Sequence, residues 1–177
     1  MELQEVLKKR RSIRKYKDTM VSDEDIHSII EAAILAPSWK NSQVTRYYVV
    51  KEKEMLEKVK QALPNFNAEN VKDAPVIIVS TIVLNRSGFE RDGTPSNELA
   101  NGWGYYDCGL HNMNLLLKAQ DLGLATLVMG LRDATMIKSL LQIENNESVV
   151  SVIGLGYGNI DPDMPKRKSV EDITKFY

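Results

Sequence analysis

The chain has 177 residues, 43% hydrophobic and 27% charged, with a formal net charge of −1. That length and balance suit one globular domain spanning 1–177 and exclude a disordered polar chain. A pI of about 6.2 argues against a nucleic-acid partner, no apolar run reaches the ~18 residues of a membrane helix, and a lone cysteine, Cys108, excludes an internal disulfide.

The amino terminus lacks the apolar segment of a signal peptide, so a reducing cytoplasm is the expected location. Leu3, Val6 and Leu7 then give a short helical stripe leading into the most charged stretch of the chain. Between Lys8 and Lys17, seven of ten residues are Lys or Arg. Within it, Arg10-Arg11-Ser12-Ile13-Arg14 carries a chemical signal, because a planar guanidinium donates two parallel hydrogen bonds to a phosphate. In an extended chain Arg10, Ser12 and Arg14 face one side, with Arg11 and Ile13 on the other. If the helix continues instead, Arg10 and Arg14 still share a face. Converging on one spot, these groups make a phosphate cradle; a solvated basic arm is the alternative.

Ser22 is a helix N-cap followed by Asp23, Glu24 and Asp25, which favour the helix dipole. Ile26, Ile29, Ile30, Ala33 and Ile34 trace one apolar face, and Pro37 stops the helix. Pro37-Ser38-Trp39-Lys40-Asn41-Ser42-Gln43 reads as a helix-to-strand connection or as a dense donor and acceptor set for a heteroaromatic ring edge. A strand over Tyr47 to Val50 and an amphipathic helix over Lys53 to Leu63 follow. Pro64 to Asp73 reads as polar and irregular, and Pro75 to Val83 as a strand buried on both faces.

Asn85 to Gly104 is a polar connection of twenty residues with four glycines. A loop that long in a compact domain is usually a functional lid or partly disordered, and Phe89 and Trp103 are the apolar groups it offers to a ligand. Tyr105 to Leu122 is apolar nearly all round, which predicts a helix buried in a core or against a partner subunit, closed by Gly123. Cys108 and His111 have helical spacing, but their apolar surroundings favour core packing over a nucleophilic pair. His27 lies far from His111 with no second cysteine nearby, so no metal site is expected.

Ala125 to Met129 reads as a buried strand ending at Gly130, Asp133 as the start of a helix, and Val149 to Leu155 as a further strand. Gly154-Leu155-Gly156-Tyr157-Gly158 fails as a dinucleotide motif, since position 159 is Asn and Pro162 and Pro165 follow instead of a helix. These glycines read as a strand end or a close backbone approach. Lys166-Arg167-Lys168 forms a second cationic cluster able to meet the first across a bound anion. Helices and strands mix without strict alternation, which favours an α+β class, a small sheet with helices packed on it.

Five motifs together resemble the FMN-dependent nitroreductase superfamily across essentially the whole chain. They are Arg-Arg-Ser-Ile-Arg, Ala-Pro-Ser-x-x-Asn-x-Gln, the Asp-Ala-Pro before a buried strand, the apolar helix closing in Leu-Gly-Leu, and the late Gly-x-Gly. The resemblance implies a central, mostly antiparallel sheet flanked by helices in an intertwined homodimer, with FMN at the subunit interface. By analogy Arg10, Arg11, Ser12 and Arg14 hold the flavin phosphate and ribityl chain, with Lys166 and Arg167 closing from the tail. Pro37, Ser38, Trp39, Asn41 and Gln43 match the segment the other subunit lends to the ring, although Val44-Thr45 replaces the Pro-Trp often found next. Met129 and Gly130 resemble backbone that approaches the flavin, and Asn67, or alternatively Asn70, matches a ring or ribityl contact. The implied activity passes hydride from NADH or NADPH through flavin N5 to a nitroaromatic, quinone or similar small electron-poor acceptor, with no side-chain catalyst. A reductive dehalogenase, a flavin-reducing enzyme, or a flavin-binding sensor or store remain alternatives.

Overall fold

A computed structural model describes residues 1–177. Four strands, β1 (Thr45–Val50), β2 (Val76–Val83), β3 (Ala125–Met129) and β4 (Glu147–Gly156), form one fully antiparallel sheet in the order β1-β2-β4-β3. The β-branched run of β2 lies at the sheet's interior, as its lack of polar alternation requires. Seven helices accompany it: α1 (Leu3–Lys9), α2 (Asp23–Ile34), α3 (Lys53–Gln61), α4 (Asn65–Asn70), α5 (Gly102–Asp121), α6 (Ala134–Leu141) and α7 (Val170–Ile173).

The period of the strands sorts the core into two layers. Val76 and Ile78 of β2 pack with Ile153 and Leu155 of β4 against Ile29 of α2 and Leu115 of α5. Ile77, Val79 and Val152 face the other way, onto Leu56 and Val59 of α3, Val71 and Ile137. A bulge opposite Ser80 and Thr81 gives β4 one extra residue, Val150, which restores that phase for the rest of the pairing. Ser22 caps α2 by accepting from the Asp25 N–H at 3.0 Å, and Asp133 caps α6 by accepting from the Met136 N–H at 2.9 Å.

Three expectations need correction. Pro64 to Asp73 is not irregular. Pro64 leads into α4, which closes through Val71, a fully buried residue whose packing outweighs the poor helix propensity of three asparagines. Asn85 to Gly104 is not a bare loop either: α5 absorbs Gly102 to Gly104, and the remainder is pinned. The Asn85 N–H donates to Asn101 at 2.7 Å, and Trp103 Nε1 donates to Asn97 Oδ1 at 2.9 Å. Finally, Ile34 is 60% exposed at the end of α2, outside the buried face.

Candidate functional site

The arginine segment takes the extended alternative. α1 stops at Lys9, and Arg10 already has φ −58° and ψ 125°. Ser12 bridges to Thr126 at the start of β3, with the Ile13 N–H donating to the Thr126 carbonyl at 3.0 Å. Ile13 therefore turns into the core while Ser12 and Arg14 stay exposed. Arg10, Arg11, Ser12, Arg14 and Arg167 line one cavity of about 160 Å³ with Pro162, Asp163 and Pro165. The two cationic clusters, far apart in sequence, thus meet. Lys166 is exposed and lies outside that lining. Burial, then the nearby Arg167 and Arg11 charges, holds the Arg10 guanidinium below its ordinary pKa. Like charges in that arrangement are relieved by an anion, and the Arg11 Nε is buried without a protein partner.

What holds the arm is Tyr16, only 3% exposed, and the late glycines make room for it. A Cβ on Gly154 would stand 3.0 Å from the Tyr16 hydroxyl, and one on Gly156 would stand 3.0 Å from its ring. Tyr16 also bridges to Gly158, and its hydroxyl donates to the Ile13 carbonyl at 3.0 Å. The close-approach reading of the glycine run is the one realised. The ligand-like object they accommodate is the protein's own aromatic ring.

β3 is an edge strand, bridged by Ser12 only near its start. Its far end leaves Val128 44% exposed and is followed by the exposed Gly130 and Leu131. Asn67 is buried on α4, and its Nδ2 donates to the Leu131 carbonyl at 3.1 Å, tying α4 to this same end. Asn70 is half-buried one turn further on. The sequence-predicted residues Asn67, Met129 and Gly130 are therefore brought together along the edge that begins at the arginines.

Pro37 to Gln43 lies elsewhere. It precedes β1, at the opposite edge of the sheet from β3, three strand spacings of about 4.8 Å away. Here Lys40, Asn41 and Gln43 have φ of 46°, 53° and 48°, the left-handed region that costs a residue with a Cβ roughly 1–2 kcal/mol. Such a run persists only when its surroundings hold it. Ser38 Oγ accepts from the Gln43 N–H at 3.0 Å, and the Trp39 N–H donates to both carboxylate oxygens of Asp107 at 3.1 Å. Trp39 packs against Trp103, the rings tilted by 46° with centroids 4.6 Å apart, and Tyr106 meets Trp103 edge-on at 5.8 Å. Lys40 Nζ pairs with Glu90 at 3.0 Å, joining this loop to the segment that carries the half-buried Phe89.

Sequence reasoning missed Asp107, which is 2% exposed in α5. The signal was available: an acid set amid the apolar residues of a helix is costly to bury unless donors surround it. The same helix buries Cys108 and His111, as expected of core residues. Burial pushes the Cys108 thiol up, so it stays protonated and unreactive. Burial also holds His111 below its ordinary pKa, against the opposing pull of Asp107.

This α+β architecture is the nitroreductase fold. Residues 7–157 match the nitroreductase family, and the chain belongs to it. A provisionally named NADH dehydrogenase/NAD(P)H nitroreductase of Archaeoglobus fulgidus is 34% identical over 87% of this chain and 84% of its own. A second protein so named, from Methanothermobacter thermautotrophicus, is 37% identical over 92% of this chain and 80% of its own. A provisionally named nitroreductase of Exiguobacterium sibiricum, solved in complex with FMN, superposes with a TM-score of 0.89 over 100% of this chain and 98% of its own, at 22% identity.

Proposed function

We propose that the chain is an FMN-dependent oxidoreductase that takes hydride from NADH or NADPH and passes it to a nitroaromatic, quinone or similar electron-poor acceptor. It acts as one domain in a cytoplasmic homodimer. The observation that carries this reading is the convergence of Arg10, Ser12, Arg14 and Arg167 on one anion-sized cavity beside an open strand edge. The fit to FMN rests on charge and on an open strand edge. Four guanidinium groups around one carboxylate, Asp163, match a phosphate dianion, and the free edge of β3 beyond Thr126 offers backbone groups to a flat polar ring.

Bound there, FMN supplies the hydride acceptor and donor at its N5 position. The chain's own residues bind and orient. Arg10, Arg11, Ser12, Arg14 and Arg167 hold the phosphate and ribityl chain, with Lys166 adding positive potential. Met129, Gly130 and Asn67 position the ring along the strand end. Pro37, Ser38, Trp39, Asn41 and Gln43 serve the ring of the second copy, because the same chain's β3 site lies at the far edge of the sheet. Phe89 and Trp103 then wall the acceptor's approach.

Exposed apolar groups support the dimer: Leu35, Tyr106, Val128 and Leu131 are 81%, 61%, 44% and 62% exposed. No helix is long and apolar enough to cross a membrane. The test is anaerobic reduction of the purified holoprotein, followed by reoxidation with nitroaromatic and quinone acceptors. Protein that takes up no FMN overturns the proposal. Flavin bleached by dithionite but by neither nicotinamide would mark a binding protein without turnover.

A further inference from the structure

We propose that Asp107 is the positioning residue of the active site, fixing the Pro37–Gln43 loop and the Asn85–Asn101 segment together from beneath. The inference rests on the flavin reading above. It starts from the strain of the loop, where Lys40, Asn41 and Gln43 all hold positive φ within four residues. A loop so shaped relaxes unless something rigid holds it. The Lys40–Glu90 pair is solvent-exposed, as is Arg46, whose Nη1 donates to the Gln43 carbonyl at 2.8 Å, and the Ser38 bond lies within the loop itself. Asp107 alone reaches the loop by hydrogen bonds from the buried face of a helix, accepting the Trp39 N–H on both oxygens at 3.1 Å, with Ser42 Oγ at a longer 3.5 Å.

The same carboxylate accepts from the buried Ser87 hydroxyl at 2.6 Å. Ser87 lies two residues before Phe89, and Glu90 next to it carries the Lys40 contact. One buried anion therefore sets the loop assigned to the flavin ring and the wall assigned to the acceptor. The carboxylate accepts the Trp39 N–H on both oxygens, where an amide would meet it on one side with its own N–H. Asp107 touches neither reacting group, so its effect passes through Trp39 and Ser87.

Asp107→Ala leaves the arginine cavity, at the other edge of the sheet, unaltered, and should lose roughly tenfold or more in kcat/KM for the acceptor. Mixed dimers separate positioning from general damage. In the shared-site arrangement, a chain with Arg10→Ala and Arg14→Ala paired with one carrying Ser38→Ala and Asn41→Ala keeps one intact site and recovers about half of wild-type activity. This reference pair tests the shared site itself.

The Asp107→Ala chain should behave as a loop lesion. Paired with the arginine variant it recovers the same half; paired with the Ser38/Asn41 variant it recovers nothing. A working reference pair combined with the opposite pattern, or with no recovery in either pairing, overturns the Asp107 role alone. A silent reference pair removes the shared site and the Asp107 role with it. Should Asp107→Ala fail to assemble, Asp107→Asn takes its place in the same pairings with the same criteria.

Discussion

Gly156→Ala tests whether the arginine arm is set by the seat of Tyr16. The added Cβ would lie 2.6 Å from Pro75 Cδ and 3.0 Å from Tyr16 Cδ1. Pro75 Cδ belongs to a ring closed on the backbone and cannot rotate away, so the strand or the Tyr16 ring must move. Overpacking of this kind costs typically 1–3 kcal/mol, and the rigid contact places Gly156→Ala at about 2–3 kcal/mol. Gly154→Ala is the internal comparison. Its Cβ meets Val71 Cγ1 at 2.7 Å and the Tyr16 hydroxyl at 3.0 Å, and a valine methyl yields more readily. About 1–2 kcal/mol is expected there. Urea unfolding of the FMN-free proteins measures the stability terms, and fluorescence titration with FMN measures the consequence. Displacing Tyr16 loosens the strand pairing of Ser12 and Ile13, so FMN affinity should fall in both variants, further in Gly156→Ala. Unfolding free energies within about 0.5 kcal/mol of wild type, the usual range of a neutral surface change, would refute the reasoning. So would lowered stability with unaltered FMN affinity, which would cut the link from glycines to arginines.

Arg10→Ala or Arg14→Ala should weaken FMN binding by about 1.5–3 kcal/mol, read by titration and by flavin retained through dialysis; full retention in both would leave the segment a solvated arm. Trp103→Ala removes the contact with Trp39 and the bond to Asn97, and Phe89→Ala thins the adjacent wall. Acceptor preference should change in both with FMN occupancy intact, and identical rate constants across several acceptors would dismiss the wall. His111 is held below its ordinary 6.5 by burial, so the unfolded chain binds the proton more readily. Its contribution to stability is present above 6.5 and lost as pH falls below it; His111→Gln should flatten that slope in urea unfolding, and an unchanged slope assigns it to other groups.

The readable parts of this molecule are those where chemistry and period are local. The β-branched run of β2, the Ser22 cap and the guanidinium spacing each follow from a few adjacent residues. They led to an interior strand, a helix start and a cavity lined by four arginines. What escaped the sequence depends on distant partners. Nothing in Pro64 to Asp73 announces a helix until Val71 finds its core and Asn67 finds the Leu131 carbonyl. The Gly154–Gly158 run looks like a nucleotide motif gone wrong until Tyr16, more than a hundred residues earlier, is seen lying against it. Asp107 is the sharpest case. In the chain it is an acid in the apolar middle of a helix, apart from Lys118 and Asp121 at its end, and its donors come from Trp39 and Ser87 on separate segments. An unexplained charge in an apolar helix is thus a pointer to a constraint imposed from elsewhere in the chain. Here the constraint falls on a loop with three left-handed residues within four positions, which joins a local anomaly of sequence to a local anomaly of conformation. Neither has a local cause, and each supplies the other's.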